Sequence, residues 1–180
     1  RVGGVCGYNE STIENIYNTG TVIGSKKVGG VCGENSSNST IKISYNIGSV
    51  SGGLSNVGGV CGFNIGTIKN SYYLENCNAD GTTFRNNYGY KKTAKQFASG
   101  EVAYRLGGIW GQEIEKDKLP VLNGKKVYQN IVYLGCCEKY QGDITYVYSN
   151  KEANPVYSGN HNFENGICTG CGTYELIEPD

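Results

Sequence analysis

The chain contains no methionine, one tryptophan and one histidine, and its sixteen basic and sixteen acidic residues cancel. Each shortage excludes something. A chain without methionine does not begin at its own start codon, so a processed product or a fragment of something longer is expected. Zero net charge argues against a nucleic-acid partner, because such proteins carry a cationic surplus. No apolar run approaches the ~20 residues that cross a bilayer, and no basic-then-apolar signal segment opens the chain, so membrane insertion by this stretch is not expected. No HExxH, GxSxG or P-loop pattern occurs, and a serine-histidine-aspartate triad would have to use His161. Aspartate stands only at Asp80, Asp117, Asp143 and Asp180. A calcium-binding β-roll, which needs an aspartate at a fixed place in each repeat, is thereby excluded. An enzyme is not expected.

What the chain has in excess is glycine, 28 of its 180 residues, roughly twice the usual share of about 7%. Tyrosine (15) outnumbers phenylalanine (4), and there are 8 cysteines. Much of this excess is repetition. Val-Gly-Gly-Val-Cys-Gly begins at Val2, Val28 and Val57. Each copy is followed by an asparagine (Asn9, Asn35, Asn64), a Thr-Ile pair (Thr12-Ile13, Thr40-Ile41, Thr67-Ile68) and a tyrosine (Tyr17, Tyr45, Tyr72). In the two complete units Gly20-Thr21-Val22 matches Gly48-Ser49-Val50, and two extra residues of the second unit fall among Ser36, Ser37, Asn38 and Ser39, where a loop tolerates them.

Period-2 alternation marks the segments after each copy as strands. Ile13, Asn15 and Tyr17 fall on one face, with Ile41, Ile43, Tyr45 and Ile68, Asn70, Tyr72 behind them. Thr12, Glu14 and Ile16 fall on the other, where Glu14 is matched by Lys42 and Lys69. No unit is large enough to bury its own apolar face, so equivalent strands must stack at roughly 4.8 Å, giving ladders of Ile, Tyr, Asn and Cys. The expected fold is all-β: a parallel β-solenoid over residues 1–77.

These residues, Val-Gly-Gly-Val-Cys-Gly-x-Asn, Thr-Ile-x-Asn-x-Tyr and Gly-x-Val, resemble the GLUG motif repeat. That family occurs in long bacterial surface and secreted proteins, some of them extracellular peptidases of the immunoglobulin-A protease kind. The resemblance implies a β-helical stalk or interaction module and no catalytic residues. Cys6, Cys32 and Cys61 depart from the pattern, standing where an aliphatic residue is commoner. As a ladder they read as small buried hydrophobes, disulfides within it being disfavoured by parallel Cβ vectors. Cys77 reads as a further buried thiol.

Residues 78–130 break the repeat. Thr93-Ala-Lys-Gln96 is a capping-box pattern opening a short helix with Phe97, Val102 and Leu106 as its apolar stripe, divided at Gly100. Trp110, Pro120-Val-Leu122 and Val127-Tyr128 read as short extended pieces. The stretch resembles the segment that often follows GLUG repeats, and a small mixed α/β cap over the open end of the stack is expected. Residues 81–135 hold nine basic and four acidic side chains, and residues 136–180 two and seven, so the two stretches either dock on each other or are solvated separately.

Residues 131–180 form a short Cys-containing β tail. Cys168-Thr-Gly-Cys171-Gly172 has the form of a zinc knuckle, and His161 lies seven positions before Cys168. One sulfur from Cys136 or Cys137 would complete a Cys3His structural zinc site, a possible zinc-ribbon-like module. A disulfide between the two cysteine pairs and free thiols are the alternatives. A redox role is disfavoured, because the motif sits in a Gly-rich extended tail and not at a helix N-terminus. The stretch from His161 to Gly172 is similar to short tail motifs in surface proteins of gut-dwelling anaerobic Firmicutes.

The functional expectation is a non-catalytic extracellular adhesion or spacer module of a bacterial surface protein, with a protein or glycan at a cell surface as partner. Tyr17, Tyr45, Tyr72 and Tyr73 are the candidate ligand contacts if exposed, and core residues if they face inward. A carbohydrate-binding module, or an accessory part of a secreted enzyme, is the alternative.

Overall fold

A computed structural model describes residues 1–78, 88–133, 141–148, 156–157, 162–165 and 167–169. In chain order the repeat contributes β1 (Val2–Gly3), β2 (Cys6–Asn9), β3 (Thr12–Glu14), β4 (Tyr17–Asn18), β5 (Val22–Gly29), β6 (Cys32–Asn35), β7 (Thr40–Asn46), β8 (Val50–Gly58), β9 (Cys61–Asn64) and β10 (Thr67–Leu74). They form three parallel sheets that the chain visits in rotation: β1-β5-β8, β2-β6-β9, and β3 and β4 with β7 and β10. Pairing joins like to like, Val2 to Val28 to Val57, Cys6 to Cys32 to Cys61, Ile13 to Ile41 to Ile68, and Tyr17 to Tyr45 to Tyr72. The protein is mostly β, with parallel strands in register.

The register accounts for the unequal repeat length. Asn35 and Thr40 pair with Asn9 and Thr12, so two residues of the second unit are looped out, where Ser39 turns back to donate to the Ser36 carbonyl and to Asn35 Oδ1 (2.8 Å). Gly24 pairs with Gly52 but Lys26 with Ser55, which places one further residue of β8 in a bulge.

Simple alternation fails at one point in every unit. Asn15, Ile43 and Asn70 have φ of 55°, 50° and 42°. A left-handed residue turns the strand about its own axis and inverts the faces beyond it. Ile13 and Ile41 therefore point into the stack beside Val31, Cys32, Val60 and Cys61, whereas Tyr45 and Tyr72 point out of it and Ser44 and Ser71 are the buried inner residues. The expectation that these tyrosines share a face with the isoleucines is corrected by this corner. Asparagine tolerates the conformation, but at Ile43 it costs roughly 1–2 kcal/mol, offset by packing against the outer cluster.

Polar groups inside the stack are satisfied along it. Asn9 donates to Asn35 Oδ1 and Asn35 to Asn64 Oδ1, both at 2.7 Å, and Asn18 donates to Asn46 Oδ1 at 2.8 Å. Each carboxamide also closes its own turn: Gly48 N donates to Asn46 Oδ1 while Asn46 Nδ2 donates to the Gly48 carbonyl. The second glycine of the hexapeptide faces this column. A Cβ on Gly30 would lie 2.2 Å from Asn46 Cγ, and one on Gly59 2.2 Å from Tyr73 Cγ, so no larger residue fits without displacing the opposite wall. Cys32 and Cys61 are buried and Cys6 is half-buried, all unbridged, and each thiol donates to the carbonyl two residues on (2.9–3.2 Å).

Beyond the repeat come β11 (Tyr90–Lys92), α1 (Ala94–Ala98), α2 (Glu101–Leu106), β12 (Trp110–Gly111) and β13 (Val121–Leu122). β11 adds a rung to the third sheet, pairing Tyr72 with Tyr90. The chain then runs back along the side of the stack. Thr93 and Gln96 form the reciprocal capping box, and Gly100, at φ 87°, separates the two helices. The segment thus lies over the outward tyrosines and reaches the first unit, where Trp110 Nε1 donates to Asn15 Oδ1 (3.1 Å).

β14 (Val127–Tyr133) pairs antiparallel with β15 (Gln141–Tyr148) and parallel with β16 (Val156–Tyr157), and β17 (Phe163–Glu164) pairs with β18 (Ile167–Cys168) in a small antiparallel ladder. Tyr146 packs on Tyr104 of α2, ring centroids 5.6 Å apart. Among the described residues the ion pairs of the basic stretch are internal to it, Lys92 and Arg105 with Glu101, and Lys116 and Lys125 with Glu113. No helix among the described residues is long and apolar enough to cross a membrane.

Candidate functional site

The outward tyrosines make one continuous column. In-register pairing puts Tyr17, Tyr45, Tyr72 and Tyr90 on successive rungs. Tyr17 stacks on Tyr45 with ring centroids 5.5 Å apart, and Tyr72 lies 5.9 Å from Tyr90. The middle of the column is covered. Tyr45 is 1% exposed, wedged between Phe97 (5.6 Å) and Trp110 (5.3 Å), and its hydroxyl donates to the Pro120 carbonyl at 2.8 Å. Burial raises the Tyr45 and Tyr72 phenols above the ordinary tyrosine value, so both remain protonated.

The two ends of the column differ from its middle. Tyr17 is 48% and Tyr90 59% exposed. Of the four tyrosines singled out as ligand contacts, Tyr45, Tyr72 and Tyr73 are buried, Tyr73 within the stack beside Cys77, and Tyr17 alone presents a ring to solvent. Tyr90 has the same character and lacks any sequence mark: no Val-Gly-Gly-Val-Cys-Gly precedes it, so nothing in the repeat pattern announces its rung.

At the Tyr90 end the side of the stack and the helices enclose a groove of about 440 Å³ lined by Asn70, Tyr72, Tyr90, Lys91, Lys92 and Arg105. Its cationic wall is organised by Glu101, which accepts from Lys92 (2.5 Å), Arg105 (2.8 Å) and Gln96 (3.0 Å). Burial alone would raise the Glu101 carboxyl, but these donors outweigh it and hold it below the usual carboxylate range. Two of the three cations lining the groove, Lys92 and Arg105, thus share one anion, leaving the groove positive. The second organised carboxylate lies on the stack. Glu34, paired in register with Tyr8 and Phe63, accepts from Arg1 and from Lys27 (2.7 Å), and Lys27 also lies 4.4 Å above the Phe63 ring. Burial opposes its ionisation, and the two cations more than reverse that.

A scan of protein-family models matches residues 1–23 to Glug, the GLUG motif. Residues 1–23 are thus a GLUG motif. Neither the curated proteins nor the solved structures yield a match. The residues that follow the repeat have definite positions. Gln96 caps α1, Phe97 and Trp110 sandwich Tyr45, and Gln112 is fully buried with its Nε2 donating to the carbonyls of Phe97, Ala98 and Asp117.

Of the candidate zinc ligands, Cys136, Cys137, His161 and Cys171 lie outside the described residues. Cys168 is buried on β18, opposite Phe163, and Thr169 N donates to the Asn162 carbonyl at 2.9 Å. Among the described residues no group of three metal-ligating side chains converges. Cys77 is buried, its thiol pushed up to about 11 by desolvation.

Proposed function

We propose that this chain is a non-catalytic interaction and spacer module of a bacterial surface or secreted protein, its three sheets coiling as a parallel β-solenoid. The observation that carries the reading is the pair of asparagine ladders, one through all three units (Asn9, Asn35, Asn64) and one joining the first two (Asn18, Asn46), which add side-chain hydrogen bonds to the backbone pairing. A bend or a pull across the stack strains several such bonds together, and hydrogen bonds shielded from water are costly to leave unmade. Such a body holds an attached domain away from a surface and carries a partner, protein or glycan, on its side. Single-molecule pulling on the chain tests the mechanical half: the repeat should give way in discrete high-force steps, and a featureless low-force extension would sink the reading. Antibody labelling of intact source cells tests the location. Signal only after lysis would place the protein inside.

A structural zinc in the tail belongs to the same proposal, held by Cys168, Cys171, His161 and one of Cys136 and Cys137. Zinc would tie together a segment with little apolar core of its own. Elemental analysis of protein purified without added metal decides it, and a zinc-to-protein ratio near zero would remove it.

A further inference from the structure

We infer that the groove at the Tyr90 end is a binding site for an acidic saccharide, one bearing a carboxylate on a sugar ring. The inference rests on the interaction reading given above and names the ligand class.

Three features converge there. The first is an aromatic platform. Tyr90 is 59% exposed, and its ring is held 5.9 Å from the buried Tyr72 on the rung below. Backbone pairing of Tyr72 with Tyr90 sets where the ring stands, beside the Tyr72 ring at the edge of the groove. The C–H face of a pyranose is a partner of that shape and polarity. The second feature is charge. Lys91, Lys92 and Arg105 line the groove against the single carboxylate of Glu101. Glu101 already binds Lys92 and Arg105, which orients them, while Lys91 is exposed and has no carboxylate within ion-pair distance among the described residues. Arg105 is 47% exposed at its side chain and keeps donors for a second anion. The third is Asn70, exposed at the left-handed corner of β10, whose carboxamide offers both a donor and an acceptor to ring hydroxyls.

The combination discriminates. A neutral sugar would use the platform and leave the cations unanswered, and a polyanion without a ring face would use the cations alone. Tyr17, at the opposite end of the column, is exposed, but beside it stand Trp110 and Asn15, already bonded to one another.

Isothermal titration of the 180-residue chain tests this with four probes: oligogalacturonate, its methyl ester, sialyllactose and an oligoglutamate of matched charge. The expected result is binding of oligogalacturonate or sialyllactose, with the methyl ester and the oligoglutamate at least tenfold weaker. Tyr90→Ala should weaken the acidic sugar at least tenfold and Lys91→Glu at least fivefold, while Lys116→Glu, away from the groove, leaves it unchanged. Lys91 is exposed, so its variant reads the site even if Tyr90→Ala disturbs the rung. Equal binding of oligoglutamate would reduce the groove to a polyanion patch and overturn the inference, as would binding that survives both variants. Failure of every sugar to bind a chain that still unfolds in high-force steps would overturn the saccharide site and leave the spacer reading standing.

Discussion

The repeat and the segment beside it are stabilised by opposite strategies. In residues 1–77 the contacts along the stack recur from rung to rung: asparagine on asparagine, isoleucine on isoleucine, thiol above thiol. In residues 93–128 the main contacts do not recur. Gln112 pins three carbonyls, Glu101 gathers Lys92, Gln96 and Arg105, and Trp110 spans Tyr17, Tyr45 and Asn15. Redundancy makes an array tolerant of the loss of one member, because neighbouring rungs still pair. A set of unique contacts has no such reserve. Damage of equal size should therefore cost more in the segment than in the repeat.

The sharpest break in that comparison is Trp110→Ala. It removes a buried aromatic that touches two rungs of the tyrosine column, and a loss of about 3–5 kcal/mol is expected. Urea unfolding followed by circular dichroism should show the segment released before the sheets, and a single unshifted transition would count against the division. Next is Asn35→Ala, which cuts the longer ladder at its centre and removes one hydrogen bond to Asn9 and one to Asn64, at about 2–3 kcal/mol. The same change at Asn64, which in this ladder accepts only from Asn35, should cost about half as much by the same measurement. If the two variants have equal midpoints, the ladder is not acting as a chain. Tyr45→Phe is milder. It deletes the hydroxyl bonded to Pro120 while keeping the ring, and about 1 kcal/mol should be lost.

Acid gives the smallest and most graded contrast. Glu34 on the stack and Glu101 in the segment both have folded-state values below the ordinary glutamate pKa of about 4.3. Their stabilisation is complete above that value and is lost as pH falls through the lowered folded-state one. Thermal midpoints measured from pH 6 downward should decline below about pH 4.3. Glu34→Gln should flatten the decline for the sheets and Glu101→Gln for the segment. A decline that neither variant alters would show that other carboxylates carry it.

The three-sheet repeat was largely legible in the sequence because stacked identical strands copy their register into the residue order. Val-Gly-Gly-Val-Cys-Gly gives the pairing of Cys6, Cys32 and Cys61 directly. The capping box at Thr93 and the break at Gly100 were legible for a local reason, since both depend on residues within four positions of each other. The direction of the tyrosines was not. Alternation assumes an unbroken pleat, and the left-handed residue falls on Asn15 and Asn70 but also on Ile43, a residue type that gives no warning of it. Nor was the groove: Asn70, Tyr90 and Arg105 meet only because the helices fold back on the sheet, and no spacing along the chain encodes a lateral approach.

That lateral approach has a consequence for how the molecule can vary in length. The segment leaves the stack at Tyr90 and touches the rungs behind it, ending on the unit that holds Tyr17 and Asn15. It works as a gauge that counts back from the last rung and takes no reading of how many precede. A unit added ahead of Val2 would find the Val2–Gly3, Cys6–Asn9 and Thr12–Glu14 edges ready to pair and would disturb nothing the gauge touches. Variants of this protein with taller stacks would then carry the same tyrosine column, the same tryptophan and the same groove at a constant distance from one end.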